Sequence, residues 1–181
     1  MLGGWLQVGH INIRNSDEAN AYNFESIVKP YLSDLHQLST SNYLLSGGEF
    51  QRIHPVIQFT QFRVYCRKTS QGRTNHFTFD HPLPDGSDNK MFKHILWNGV
   101  SAPDNYCGYV KFMPDDDSTL RTSACTDLSR YYYDRNWLRY RLYSSMKNGV
   151  TQLKTYVNTR LKCDDDTVDD KIGQWMFFLR W

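Results

Sequence analysis

The chain has 181 residues, a length typical of one domain, and it can bury a hydrophobic core without metal or disulfide support. Its composition, 40% hydrophobic and 22% charged, excludes an intrinsically disordered chain. The formal net charge of +2 is too balanced to indicate a nucleic-acid partner. The unusual feature is an aromatic content of 15%, which identifies no function by itself.

The hydrophobic pattern predicts strands along most of the chain. The first covers Trp5–Ile13 and ends at a turn cluster, residues 15–17. Residues 62–66 and 75–79 alternate between two faces, and residues 67–73 between them are typical of a hairpin connection. Further strands are predicted at residues 91–97, 109–113, 138–143, 153–162 and 174–181.

Helix signals are few. Residues 22–38 carry a partial 3.6-residue periodicity that Pro30 interrupts, so at most two short helices fit there. Residues 46–53 are predicted to form a single turn before Pro55. The sequence therefore predicts one disulfide-bonded, all-β domain over residues 1–181, mainly an antiparallel sandwich or barrel with one or two short helices.

The four cysteines are scattered among the predicted strands. They form no C-x-x-C pair and have no histidine at zinc-ligand spacing, so paired cysteines are favoured over a metal site. Three pairings are open. We favour Cys107–Cys125, which closes a loop of about 19 residues, and this leaves Cys66–Cys163 with a loop of about 98 residues. Four buried, reduced thiols are the alternative.

The beginning of the chain has neither the basic segment nor the apolar run of a signal peptide. No stretch approaches the roughly 18 consecutive apolar residues of a membrane helix. Because disulfides persist in oxidising compartments, we expect a mature secreted domain whose leader has been removed. Insertion into a membrane is not expected.

Spaced motifs connect the cysteines with polar and aromatic positions. They are Gly4-Trp5-x-x-Val8-x-His10; Arg63-x-x-Cys66-x-Lys68-x-x-x-Gly72-Arg73-Thr74-x-His76; Cys107-Gly108, Pro114-Asp115-Asp116-x-Ser118-x-Leu120 and Cys125; and Cys163-Asp164-Asp165 with Gly173-x-Trp175-x-x-Phe178-x-Arg180. Together they resemble a family of uncharacterised domains, expected to be extracellular, in corals, anemones and hydroids. The resemblance implies secretion, paired cysteines and a single β-rich module. It implies no site residues, because the family has no established activity.

Two acidic loops offer oxygen ligands for a cation. One is the run Asp115-Asp116-Asp117-Ser118, and the other contains Asp164, Asp165, Asp166 and Asp169. Calcium requires several converging oxygens, and extracellular modules bind it weakly. The second loop is the candidate calcium site. The alternative for both loops is a solvated turn in which an aspartate bonds nearby backbone.

An unusual run at residues 130–143 interleaves four arginines with six aromatic residues. Such a surface can hold sugars, whose apolar faces lie on aromatic rings while their hydroxyls meet charged groups. The candidate binding residues are Tyr131, Tyr132, Tyr133, Arg135 and Trp137. The alternative is a half-buried strand with aromatic residues in the core and arginines along the surface. Nucleic acid can bind similar surfaces, but it is not expected for a secreted protein.

No catalytic motif is present: the sequence lacks a Walker loop, a G-x-S-x-G elbow and a zinc-binding histidine pair. We therefore assign no catalytic residues and expect a non-enzymatic, lectin-like recognition or adhesion module that binds a glycan or an extracellular protein. One alternative is a self-associating matrix protein, since aromatic residues anchor interfaces. Another is a secreted hydrolase that uses the acidic loops with or without a metal.

Overall fold

The computed structural model describes residues 4–29, 31–33, 42–82, 85–88, 110–118, 121, 131–133, 141–146, 149–154, 161–165 and 170–181. The strands there are β1 (Trp5–Ile13), β2 (Val28–Lys29), β3 (Tyr43–Leu45), β4 (Gln61–Lys68), β5 (Thr74–Asp80), β6 (Lys111–Phe112), β7 (Tyr131–Tyr133), β8 (Arg141–Met146), β9 (Gly149–Lys154), β10 (Lys162–Asp165) and β11 (Gly173–Arg180). The helices are α1 (Ser16–Ala21), α2 (Phe24–Ile27) and α3 (Gly47–Ile57). The predicted all-β class with a few short helices is confirmed.

The strands form two sheets. The larger has seven strands in the order β2-β3-β1-β11-β4-β5-β6, and every pairing except the parallel β2–β3 pair is antiparallel. The smaller has four antiparallel strands in the order β10-β9-β8-β7. In the larger sheet β11 lies between β1 and β4, so strands far apart in the chain are neighbours at its centre.

One face of the seven-stranded sheet forms the hydrophobic core. Along β11 the side chains of Trp175, Phe177 and Leu179 are at most 1% exposed, while those between them are half-buried. This alternation is the period of two that a strand imposes on its side chains. The core continues through β4 and the helices with Phe62, Val64, Cys66, Phe50, Ile53 and Ala19.

A disulfide joins the two sheets. Cys66 on β4 bonds to Cys163 on β10, with the two Cα atoms 5.9 Å apart, and both residues are buried. Leu161, just before β10, belongs to the same core. The predicted Cys66–Cys163 pair is confirmed, and the alternative of four reduced thiols is wrong. Cys107 and Cys125 lie outside the described residues, so their pairing stays a prediction.

The helices depart from the sequence predictions because of their caps and packing. Residues 15–17 were predicted as a turn, but the Asn15 side chain accepts a hydrogen bond from the Glu18 N–H at 2.9 Å and so caps α1. The predicted single turn before Pro55 is also wrong, since α3 runs for 11 residues through that proline. Phe50 and Ile53 bury the helix against the core, and this packing outweighs the hydrogen bond that Pro55 cannot donate within the last turn.

Several strand predictions match the structure. The bounds of β1 are as predicted, and the predicted hairpin is present, with β4 extending to Lys68 and residues 69–73 as the connection, where Gly72 has a φ of 67°. The single strand predicted at residues 153–162 is wrong, because β9 ends at Lys154 and β10 begins at Lys162. The strand predicted at residues 91–97 lies outside the described residues. The short strands β2 and β3 were not predicted.

A buried carboxylate fixes the beginning of α3. Glu49 is 2% exposed, and its oxygens accept hydrogen bonds from the Leu32 N–H at 2.8 Å and from two Arg52 nitrogens at 2.6 Å. The hydrogen bonds from Arg52 lower the pKa of Glu49, and the bond from Leu32 lowers it further against the effect of burial. The ionised carboxylate therefore ties residue 32 to the helix.

Removing the inter-sheet disulfide should destabilise the protein strongly. We expect replacement of both Cys66 and Cys163 by alanine to lower the free energy of unfolding by roughly 3–5 kcal/mol, because the bond restricts a loop of about 98 residues in the unfolded chain. Urea unfolding without reductant measures this loss. Adding reductant to the native protein should give a loss at least as large, because it also reduces the predicted Cys107–Cys125 pair. A variant as stable as the oxidised native protein would contradict the expectation.

Stability should depend on the ionisation of Glu49. At pH 7, Glu49→Gln should lower the free energy of unfolding by about 1.5 kcal/mol, since Leu32 and Arg52 lose a charged acceptor. The folded-state pKa is lowered, so this stabilisation is present above the usual pKa of glutamate and is lost as the pH falls through the folded-state value.

The difference in free energy of unfolding between the native protein and Glu49→Gln should therefore disappear below about pH 4. Urea unfolding at pH 7, 5 and 3 measures this difference. A difference that does not change with pH would contradict a stabilising role for the ionised Glu49 carboxylate. Glu18→Gln is the matched control. Glu18 pairs with the exposed Arg14, so replacing Glu18 should lower the free energy of unfolding less than replacing Glu49 does.

Candidate functional site

The structure describes only the backbone of part of the predicted aromatic binding site. Tyr131, Tyr132 and Tyr133 form β7, the edge strand of the four-stranded sheet, and Tyr132 pairs with Tyr143 of β8. Their side chains, and Arg135 and Trp137 as a whole, lie outside the described part of the chain. The role of these five residues in ligand binding stays a prediction.

The predicted calcium site is also described only in part. Asp164 and Asp165 belong to β10, where the pairing with β9 is irregular between Cys163 and Asp165. Asp166 and Asp169 lie outside the described residues. Within the residues that are described, no group of three or more His, Cys, Asp or Glu side chains could hold a metal ion. Calcium binding therefore stays a prediction.

The other acidic loop completes the edge of the large sheet. Asp116 is 4% exposed, and its Oδ2 accepts the His76 backbone N–H at 2.6 Å. Asp117 Oδ1 accepts the Thr74 N–H at 2.5 Å, while its own N–H donates to the Thr74 carbonyl at 3.1 Å. These contacts continue the hydrogen-bond ladder of β5 beyond β6, which has only two residues. The loop is thus a turn with backbone-bonded aspartates, which is the alternative to a cation site.

The Asp116 carboxylate has a further contact within its own turn. Its Oδ1 accepts hydrogen bonds from the Ser118 N–H at 3.1 Å and the Ser118 hydroxyl at 2.7 Å. Burial raises the pKa of Asp116, although the hydrogen bonds from Ser118 and His76 and the charge of Arg121 act in the opposite direction. The carboxylate is held in place by donors on both of its oxygens.

The main candidate site is the face of the seven-stranded sheet opposite the core, here called the outer face. Cross-strand partners project to the same side, so the register of β1, β11, β4 and β5 arranges its side chains in four rows. The rows are Trp5–Arg180–Gln61–Asp80; Gln7–Phe178–Arg63–Thr78; His10–Met176–Tyr65–His76; and Asn12–Gln174–Arg67–Thr74.

Two arginines gather around one tryptophan at an end of the outer face. The Arg63 guanidinium carbon lies 3.9 Å from the centre of the Trp5 ring, and that of Arg180 lies 5.8 Å from it. Phe178 packs against Trp5 in a T-shaped arrangement, with ring centres 6.4 Å apart. Burial lowers the pKa of Arg63, and the charge of Arg180 lowers it further. The two cations are therefore close enough to repel each other.

Imidazole rings border the aromatic residues of the third row. His76 Nδ1 lies 2.7 Å from Asp115 Oδ1, and its ring packs against Tyr65 at 5.3 Å between centres. At the other end of the row, His10 packs against Tyr43 of β3, with ring centres 6.3 Å apart. Burial lowers the pKa of His10. At neutral pH His10 therefore adds little positive charge to this face.

A cleft of about 430 Å³ opens at the end of the outer face opposite Trp5. Gly173 lies within it, and a Cβ atom at this position would be 2.5 Å from the Arg67 carbonyl oxygen. Arg14, which pairs with Glu18, and Arg67 make the cleft cationic. The lining residues are Asn12, Ile13, Arg14, Tyr65, Arg67, Thr69, Ile172, Gly173 and Gln174.

Comparisons with known proteins add no identity: no family model, no curated protein and no solved structure matches the chain. The resemblance to the cnidarian domains stays a prediction. Among the described residues, no helix has the length and apolar character required to cross a membrane.

The sequence contains a signal for the outer face that our function predictions did not use. Trp5, Arg63, His76, Phe178 and Arg180 all belong to the spaced motifs, but those motifs were interpreted only as marks of a disulfide-bonded module. Each of the five lies at a position of a strand that alternates with core residues. The period of two therefore places them on the face away from the core, although it cannot give the order of the strands.

The strand-capping role of the acidic loop predicts different effects for adjacent aspartates. Asp116→Ala should lower the free energy of unfolding by about 1–3 kcal/mol, because the His76 N–H and Ser118 lose their acceptor. Asp115→Ala removes a carboxylate whose side chain is 58% exposed, and it should cost well under about 1 kcal/mol. Thermal and urea unfolding of the two variants measure the difference. Equal losses would show that Asp116 does not cap the strand.

Proposed function

We propose that the chain is an extracellular recognition module that binds a glycan on the outer face of its seven-stranded sheet. The extracellular location is supported by the Cys66–Cys163 disulfide, since such bonds persist in oxidising compartments. The binding role is supported by the chemistry of the outer face.

The observation that carries the proposal is the packing of both Phe178 and Arg63 against Trp5. A sugar ring has apolar patches of C–H groups and a rim of hydroxyls. Aromatic rings offer large apolar surfaces to the first, and guanidinium and amide groups offer hydrogen bonds to the second. Ligand sites in proteins combine these two kinds of surface in the same way.

Amide side chains along the same rows supply further hydrogen-bonding groups. Gln61 donates to Asp80 at 2.7 Å, and Gln174 Nε2 lies 3.4 Å from His10 Nε2. Asn12 and Gln174 also line the cleft at the far end of the face. The outer face thus alternates apolar rings with donors and acceptors over four strands, which suits an extended oligosaccharide better than a small compact ligand.

A second candidate surface for the glycan is the predicted site at Tyr131, Tyr132 and Tyr133. These residues lie on the four-stranded sheet, whereas Trp5 and Arg63 lie on the seven-stranded sheet. Glycan contact at one surface does not require contact at the other. Variants can therefore determine which surface binds.

Glycan binding should depend on Trp5. We expect the native protein to bind members of an array of neutral and acidic oligosaccharides, and we expect Trp5→Ala to weaken the binding more than about tenfold, the usual effect of removing a central aromatic contact. Titration calorimetry with the best array ligand measures the loss. Tyr31→Ala, which removes a 57% exposed aromatic ring away from the outer face, is the matched control and should bind normally.

Two results would count against the outer face as the binding site. The first is failure of the native protein to bind any member of the array. The second is loss of binding in Tyr132→Ala with unchanged binding in Trp5→Ala, which would assign the ligand to β7. Circular dichroism of each variant establishes that the comparison is made between folded proteins.

A further inference from the structure

Two positive charges lie side by side on the outer face. Arg180 on β11 and Arg63 on β4 occupy neighbouring rows, and both guanidinium groups are within 6 Å of the Trp5 ring centre, at 5.8 Å and 3.9 Å. The aromatic ring attracts both cations, which partly offsets their mutual repulsion. The offset is only partial, because an aromatic ring attracts a cation less strongly than an anion at contact distance does.

The hydrogen-bonding capacity of these arginines is largely unused. Each guanidinium has five N–H donors. Within the described part of the chain neither group forms a salt bridge, and the Arg63 Nε atom is buried with no hydrogen-bond partner. The Arg180 contact with Gln61 Oε1 is long, at 3.5 Å. A buried donor without an acceptor costs free energy. The remaining N–H donors of the two guanidinium groups are the ones that a ligand with acceptor oxygens can contact.

The nearby carboxylates are engaged elsewhere. Asp80 accepts a hydrogen bond from Gln61 at 2.7 Å, and Asp115 contacts His76 at the same distance. Asp115 attracts Arg63 electrostatically, but no hydrogen bond joins them. Asp116 and Asp117 cap the backbone of β5. In the part of the chain that the structure describes, no carboxylate is therefore bonded to either guanidinium group.

We propose that Arg63 and Arg180 together bind an oxyanion, the sulfate group of an acidic glycan, beside Trp5. This inference rests on the proposed glycan-binding function and names the class of glycan. Guanidinium groups bind planar or tetrahedral oxyanions through paired hydrogen bonds, and two adjacent groups can contact different oxygens of the same anion. Trp5 and Phe178 provide the apolar surface for the sugar that carries it.

The cleft at the other end of the face extends the same chemistry. Arg67 follows Arg63 by four residues on β4, which places the two positions about 13 Å apart along the strand. Arg67 lines the cleft together with Tyr65 and Gln174. An oligosaccharide with an acidic group on successive units can therefore reach both ends of the face, with Arg67 as its second cationic contact.

The test compares ligands that differ only in their acidic groups. The probes are a heparin-derived hexasaccharide, the same hexasaccharide after chemical desulfation, inorganic sulfate, and a single-stranded oligonucleotide of similar charge, all at one ionic strength. The native protein should bind the sulfated hexasaccharide at least tenfold more tightly than the desulfated one and than inorganic sulfate. Its affinity should fall as salt is added, since salt screens the charges.

Two arginine variants locate the anion. Arg63→Gln and Arg180→Gln should each weaken binding of the sulfated hexasaccharide roughly tenfold or more, the usual effect of losing a charge-assisted hydrogen bond. Lys29→Gln is the matched control: it makes the same charge change on β2, four strand spacings from β4 and about 19 Å away. It should bind within about twofold of the native protein. Arg63→Lys keeps the positive charge but lacks the planar guanidinium, so its affinity for the sulfated hexasaccharide should fall several-fold. This variant is used in place of Arg63→Gln if Arg63→Gln does not fold.

Four outcomes would overturn the proposal. They are equal binding of sulfated and desulfated hexasaccharide, arginine variants that bind like Lys29→Gln, inorganic sulfate binding as tightly as the hexasaccharide, and tighter, arginine-dependent binding of the oligonucleotide. If neutral glycans bind in a Trp5-dependent manner while the arginine variants are unaffected, glycan recognition stands and the acidic class is wrong. If no glycan binds, both proposals fail.

Discussion

The structure depends on the pairing of β11 with β1 on one side and with β4 on the other. This register decides which side chains of three adjacent strands enter the core and which form the outer face, because a shift by one residue would exchange the two sets. Gly173 is part of that register, since a side chain there would collide with the backbone of β4 at Arg67. Gly9 has a similar role on β1, where a Cβ atom would meet Leu44 and Phe177 at 2.7 Å. Close strand packing at two glycines thus supports both the core and the candidate site.

Opposite charges have different roles on this sheet. The aspartates after β6 serve as backbone acceptors, with Asp116 and Asp117 taking the place of a longer edge strand. Such covering of an edge limits pairing with other chains. Within the described residues Arg63 and Arg180 form no salt bridge, and the Arg63 guanidinium lies over the Trp5 ring. The acids therefore contribute to the fold, whereas the two bases are the groups on which the proposed glycan contact depends.

The sequence predicted the fold class and the bounds of β1, because strand alternation is a local signal. The Cys66–Cys163 disulfide was predicted as the pair that remained once the shorter Cys107–Cys125 loop was favoured. It did not predict α3 beyond Pro55, because the tertiary packing of Phe50 and Ile53 outweighs the local effect of proline. A single strand was predicted at residues 153–162, where the structure has the end of β9 and the beginning of β10. The local hydrophobic pattern does not separate these two strands.

The candidate site was harder to predict than the fold. The aromatic density at residues 130–143 directed attention to that run, whereas the outer face draws single residues from strands that are distant in sequence. Trp5 and Arg180 illustrate the difficulty, because they are direct neighbours across a strand pair but lie at opposite ends of the chain. The alternation within each strand is consistent with both residues facing away from the core, but strand order comes only from the three-dimensional structure.

The central place of β11 also has a consequence for the order in which the protein is synthesised. Both neighbours of β11 precede it in the chain, and β1 ends about 160 residues before β11 begins. At ribosomal rates of about 5–20 residues per second, β1 waits roughly 10–30 s for its partner. During that time β1 and β4 have open edges on the sides that later meet at β11, and Cys66 has no partner for its disulfide. The nascent chain therefore passes through a long stage in which the edges of its apolar strands are open to pairing with other chains.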